Sequence, residues 1–303
     1  MAERGQLVWL GRITTRRRLL ASSAALGSPA IGWMVLLLIV PSVVIAVLAF
    51  ASRAPDGQVV WTLGLQNFVR LAGYGLLGWT PDYLWIGVRS VWVATVTTAL
   101  CVALSYPLAF FIAAQPPARQ RLCLAGVVIP MCVNLVVRTY AWELLLSPQL
   151  PLARLAAALG LIDEGAGLYP SGLAVQLGMV STSLPFAVLP LVVNIQRLDR
   201  ALIEAARDLY AGPVRVFRQA VLPQTWPGLG AAVVLTFVPA MGMFVISDRL
   251  GGSNFMLVGN LIQQQFGSSR DYPFGAAVSL TLIVLTLVGL VLYRRSGRGI
   301  ELA

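Results

Sequence analysis

Long uncharged stretches alternate along this chain with short polar stretches that carry arginine. Residues 31–50, 90–114, 165–196, 219–247 and 272–293 hold no charged side chain, and 122–146 holds only Arg138 and Glu143. A bilayer core about 30 Å thick is crossed by roughly 20 mostly apolar residues in a helix. The pattern therefore predicts an all-α integral membrane protein with six spans. They fall at 31–50, about 86–114, about 122–146, about 172–194, about 227–246 and about 273–293. Pro41, Pro107, Pro130, Pro185, Pro190 and Pro239 lie within these spans, where kinks are tolerated if neighbouring groups satisfy the freed carbonyls. Outside them, 1–30 forms an N-terminal arm, 31–293 the transmembrane domain and 294–303 a tail. The apolar stretch 152–162 suits a short interfacial helix and not a crossing.

Composition strengthens this picture. Of 303 residues, 58% are hydrophobic and 11% charged, with a mean hydropathy of +0.80. That leaves too little charge to cover a soluble domain. The net charge of +10 is carried by arginine alone and is unevenly placed. With the N-terminus inside, the segments 1–30, 115–121, 195–226 and 294–303 hold 15 arginines. The outer segments hold six, matched by a similar number of acids. This is the positive-inside distribution. It places both termini in the cytoplasm and makes the charge topological, with no nucleic-acid partner. Arg16-Arg17-Arg18 before Leu19-Leu20 resembles an export signal, but the run 31–50 exceeds a signal's apolar core and five more spans follow. Those arginines are expected to anchor the first span. There is no His, and Cys101, Cys123 and Cys132 all fall in predicted spans, which argues against a metal or haem site and against a structural disulfide.

The segment 195–226 has a different pattern. Leu202, Ala206 and Leu209 recur at helical spacing with Ile203 and Tyr210 beside them, while Arg200, Glu204, Arg207 and Asp208 fall mainly on the other face. Gly212-Pro213 should end this helix, through the positive φ open to Gly and the donor that Pro lacks. A second short helix at about 214–221 then leads to Leu222-Pro223. Such a helix–turn–helix on the inner face can dock in a partner's groove or merely rest on headgroups, and periodicity alone supports either.

Glu204-Ala205-Ala206 and Leu222-Pro223, at their spacing, resemble the EAA motif of binding-protein-dependent ABC importer permeases. Tyr210 stands where that motif has Gly, with Gly212 two residues on. Further stretches, Val137–Trp142, Leu184-Pro185-Phe186, Pro239–Gly242 and the run from Ser247-Asp248 to Ala277, are similar to the spermidine/putrescine branch of that family. The resemblance implies the type I importer permease fold and a bacterial inner-membrane location. It also implies that the helix at about 198–211 couples to an ATPase, with Arg200, Glu204, Ala205, Ala206, Asp208, Gly212, Leu222 and Pro223 in the coupling loop. Implied partners are a second homologous permease, two ATP-binding subunits and a periplasmic binding protein. ATP and Mg would be bound by the ATPase subunits, because this chain has no phosphate-binding Walker sequence and is no enzyme.

Arg138 and Glu143 are the ionisable residues set well inside a span, and such residues usually face a cavity or one another. Their separation of five strains a pair on one helix. Arg138 is expected to pair structurally, and Glu143 either does the same or faces a cation. Tyr140 and Trp142 could hold an ammonium group on their rings or belong to the interfacial aromatic belt. Asp248, at the outer end of the fifth span, could meet a departing solute or cap its loop. The expected function is half of an import path for a small cationic solute of polyamine type. The alternatives are another small solute or a secondary transporter, and for the latter Glu143 is the one candidate coupling carboxylate.

Overall fold

The computed structural model describes residues 28–298 except 30, 56, 76, 77, 161, 164, 210, 211, 253 and 254. The N-terminal arm before 28, Tyr210 and the tail beyond 298 lie outside the described residues. In chain order, α1 (Ile31–Ala49) is followed by the strands β1 (Ser52–Arg53) and β2 (Val59–Val60). Next come α2 (Gln66–Leu71), the strands β3 (Tyr74–Gly75) and β4 (Gly78–Trp79), and α3 (Asp82–Ala113). Then follow α4 (Pro117–Cys132), α5 (Leu135–Leu145), α6 (Pro151–Ala158), α7 (Gly172–Ile195) and α8 (Arg200–Asp208). The chain closes with α9 (Pro213–Gly242), α10 (Val245–Gly251), α11 (Val258–Phe266) and α12 (Tyr272–Arg298). The strands form two antiparallel hairpins, with Ser52 opposite Val60 and Tyr74 opposite Trp79.

Among the described residues, α1, α3, α7, α9 and α12 are long and apolar enough to cross a membrane. The expected third span, 122–146, is not one straight helix: α4 and α5 meet at a bend of 95°. The sequence explains the break. Pro130 has no N–H to continue the ladder, Val133 and Asn134 turn extended (ψ 133 and 136), and the Asn134 side chain caps α5 by accepting from Val136 N at 2.8 Å. The fifth span also differs from expectation. It begins at Pro213, absorbing the predicted second loop helix, and stops at Gly242, where Met243 turns extended (ψ 114).

The bundle centres on α3, α7 and α9, which pack pairwise against one another. Cys101, Ala109 and Ile112 of α3 meet Ala187, Val188, Leu191 and Val192 of α7 and Ala232 of α9. Lipid tails are as apolar as Leu, so small residues that bring backbones close supply much of this packing. At Gly178, an added Cβ would lie 2.8 Å from Ile246 and Leu250. Hydroxyls inside the bundle turn back on their own helices: Thr98, Thr139 and Thr236 each donate to the carbonyl four residues earlier. The first span is peripheral. None of its apolar window is buried, and it lies along α12, with Ala49 against Ala276 and Ala277.

Candidate functional site

The loop between α7 and α9 is built to hold a bare helix in place. Asp199 caps α8 by accepting from Ala201 N at 2.9 Å, and its own N–H donates to Gln224 Oε1, also at 2.9 Å. No residue of α8 is buried. Arg200, Glu204, Ala205 and Asp208 are exposed, Ala206 is half-buried, and Leu202 is 54% exposed, with Leu209, just beyond the helix, at 82%. Gly212 does not use a positive φ: at φ −62 and ψ 159 it is the extended cap that precedes Pro213 at the start of α9. The expected stop is therefore the beginning of the next helix.

Leu222 and Pro223 follow a wide π-turn at Phe217–Val221 inside α9. Pro223 has no N–H to donate, and one residue on, Gln224 Nε2 donates to Ala220 O at 2.7 Å. The same stretch is tied to the bundle: Tyr106 Oη shares a hydrogen bond of 2.7 Å with Thr225 Oγ1, and the Tyr106 ring meets Phe217 edge-on at 5.9 Å. Through Gln224 and Tyr106, α8 is linked to both α9 and α3.

The other predicted residues gather around α5. Arg138 does not pair with Glu143; it reaches across the bend and donates to Pro130 O at 3.1 Å, covering a carbonyl at the end of α4. Glu143 is half-buried, and its Oε2 is buried without a hydrogen-bond partner among the described residues. Trp142 Nε1 donates to Ser181 Oγ at 2.9 Å. The Tyr140 ring is covered by the Arg249 guanidinium at 4.8 Å from its centre. Asp248 is exposed on α10, one residue from Ser247, whose buried hydroxyl donates to Asn260 Oδ1. That amide also donates to Phe244 O, so α10 and α11 are joined by a buried polar network.

Between the loop after α1 and the head of α12, one node was not anticipated from sequence. Asp271 is 4% exposed; its Oδ2 accepts from Arg70 Nη1 at 2.8 Å and lies 3.7 Å from Arg53 Nη1, while Oδ1 accepts from Phe274 N at the head of α12. These are the ion pairs found among the described residues. The Arg70 guanidinium lies 4.1 Å above the Phe274 ring. Burial works to lower the Arg70 pKa, but its hydrogen bonds to Asp271 and Tyr83 outweigh that, so the group is held above its ordinary value. The sequence signal was slight: an Asp directly before a charge-free stretch.

Comparison with known proteins adds four findings. A family model described as "Binding-protein-dependent transport system inner membrane component" matches residues 105–302. The spermidine/putrescine transport system permease protein PotB of Escherichia coli is 36% identical over 268 residues, covering 88% of this chain and 95% of that protein. The PotB of Haemophilus influenzae is 32% identical over 266 residues, covering 88% and 91%. Among solved structures, a bacterial alginate ABC transporter in complex with an alginate pentasaccharide-bound periplasmic protein aligns with a TM-score of 0.70 at 13% identity. That alignment covers 94% of this chain and 96% of the other, a likeness of fold.

Proposed function

The chain belongs to the family of binding-protein-dependent transport system inner membrane components, and from that premise we propose how it works. It is a non-catalytic, multi-pass permease subunit of a bacterial inner membrane. We propose that it forms half of an import path for a small cationic solute of the polyamine class, as the names of its PotB relatives suggest. A second, homologous permease forms the other half, two ATP-binding subunits hold ATP and Mg, and a periplasmic binding protein delivers the solute. Both termini and the loop 195–226 face the cytoplasm.

The observation that carries this reading is α8. It is capped, tied back through Gln224 and free of burial, with Leu202 and Leu209 exposed beside Glu204 and Ala205. An apolar stripe held rigidly on a polar loop suits insertion into a partner's cleft. ATP-driven closure of the ATPases moves α8 as a rigid body, and α9 and α3 follow it through Gln224, Thr225 and Tyr106. The path then alternates between inward- and outward-facing states. Arg200, Glu204, Ala205, Ala206, Asp208 and Gly212 make the docking helix and its turn, and Leu222-Pro223 starts the lever behind it. Along the path, Glu143 is the residue proposed to face the cation, since its buried Oε2 has no hydrogen-bond partner among the described residues. Arg138 holds the bend, Tyr140 and Trp142 line its outer side, and Asp248 sits at the exit.

The test is co-purification with turnover. The permease should bring down an ATPase subunit whose hydrolysis rises when binding protein loaded with spermidine or putrescine is added. Glu204→Lys should abolish at least about 90% of uptake at an unchanged amount in the membrane, since it reverses a charge at a docking face. Wild-type uptake in that variant would remove α8 from its role. Uptake that persists without the ATPase would restore the secondary-transporter reading. A binding protein that retains some other small solute would change the substrate class alone.

A further inference from the structure

At the outer ends of the first and last spans, Ser52, Arg53, Gln66, Arg70, Tyr74 and Asp271 surround a cavity of about 760 Å³, with Leu65 and Val69 as apolar wall. Among its described lining residues the charges do not cancel. Arg70 and Arg53 converge on a single carboxylate, and that carboxylate is already engaged by Arg70 and by Phe274 N. The head of α12 adds the partial positive charge of a helix N-terminus. Arg53 is the loose member: at 3.7 Å it is beyond hydrogen-bond length from Asp271, and its side chain is 40% exposed. A guanidinium has five N–H donors and matches a carboxylate in a two-point fork. Gln66 and Tyr74 add polar side chains to the lining. Leu65 and Val69 offer apolar surface to an aliphatic stem.

We propose that this cavity receives a carboxylate side chain of the periplasmic binding protein, with Arg53 as the group that takes it. The proposal rests on the reading above that such a protein docks on this face. A cationic solute is repelled by the surplus positive charge, so the cavity is no substrate subsite. Arg70 and Asp271 are its fixed floor, which ties α2 to the head of α12. Arg53, carried on the hairpin that follows the first span, is free to turn toward the incoming acid. Docking would thus be steered by charge and would weaken with salt.

The experiment uses the whole importer in nanodiscs and follows ATP hydrolysis as loaded binding protein is titrated. Arg53→Glu should raise the half-saturating concentration of binding protein about tenfold with little change in the maximal rate, and Arg53→Lys should stay near wild type. Raising salt from about 50 to about 300 mM should weaken wild-type half-saturation more than that of Arg53→Glu. Should Arg53→Glu assemble poorly, Arg53→Gln removes the charge at similar size and should move the same readout in the same direction. An unchanged half-saturation overturns the proposal. So does a shift that disappears when anionic lipids are replaced by zwitterionic ones, since the ligand would then be a headgroup phosphate. Absence of any stimulation in the wild type would instead bring down the importer reading beneath it.

Discussion

Gly228 stands where α9 crosses the end of α7, and a Cβ built there would lie 2.6 Å from the Asn194 Cβ. Neither backbone can yield without separating the central helices. Gly228→Val should therefore cost about 1–3 kcal/mol, seen as a lower thermal midpoint of the detergent-solubilised protein. An unchanged midpoint would mean that the two helices are not in close contact there. Sequence alone offers Gly228 as one of 28 glycines, and nothing in its neighbours distinguishes it. Asp271 teaches the same lesson with charge: its partner Arg70 is 201 positions away in the chain. Patterns of hydrophobicity are local, whereas an ion pair between loops depends on which spans lie side by side. Glu143, by contrast, is conspicuous in sequence because its stretch is otherwise almost uncharged, and its Oε2 is buried without a hydrogen-bond partner among the described residues.

The elements follow hydropathy where the chain is uniform and depart from it where caps intervene. The spans α1, α3, α7 and α12 fall within about five residues of the spans expected from hydropathy. The bend between α4 and α5 does not show in hydropathy, because both sides are apolar and an average over about 20 residues blends them. Its causes, Pro130, Asn134 and Arg138, are all present in sequence, but their roles appear only once the turn is drawn. Asn134→Ala should lose the cap of α5 and about 1 kcal/mol, lowering the thermal midpoint with the fold retained. A midpoint equal to wild type would show that the side chain does not hold the bend. In the loop between α7 and α9, periodicity correctly set out an amphipathic helix, yet it could not foresee that the second loop helix runs on into α9. A π-turn at Phe217–Val221 carries the helix up to Leu222-Pro223, and such a local repair leaves no periodic trace.

For the molecule as a whole, the bent pair decides the topology. If α4 and α5 together cross the membrane, the α1–α3 connection and α8 lie on opposite sides. If they dip in and return, both lie on the same side. Single-cysteine variants at Trp61 and Ala205, with Cys101, Cys123 and Cys132 replaced by Ala, distinguish the two. A membrane-impermeant maleimide should label Trp61→Cys only from outside in intact cells and Ala205→Cys only in inverted vesicles. Labelling of both from one side would overturn the six-span arrangement. The sequence by itself determined the class of molecule, the stretches apolar enough to cross a membrane and the position of the amphipathic loop helix α8. Those properties rest on local period and on the cost of burying charge in lipid. Only the tertiary structure decided that α3, α7 and α9 form the centre with α1 outside them. It also decided that α8 stays unburied and that Arg53 and Arg70 share Asp271. Each of these depends on which surfaces meet across long stretches of chain, and in lipid nearly any apolar face can meet any other until close packing and buried polar groups choose among them.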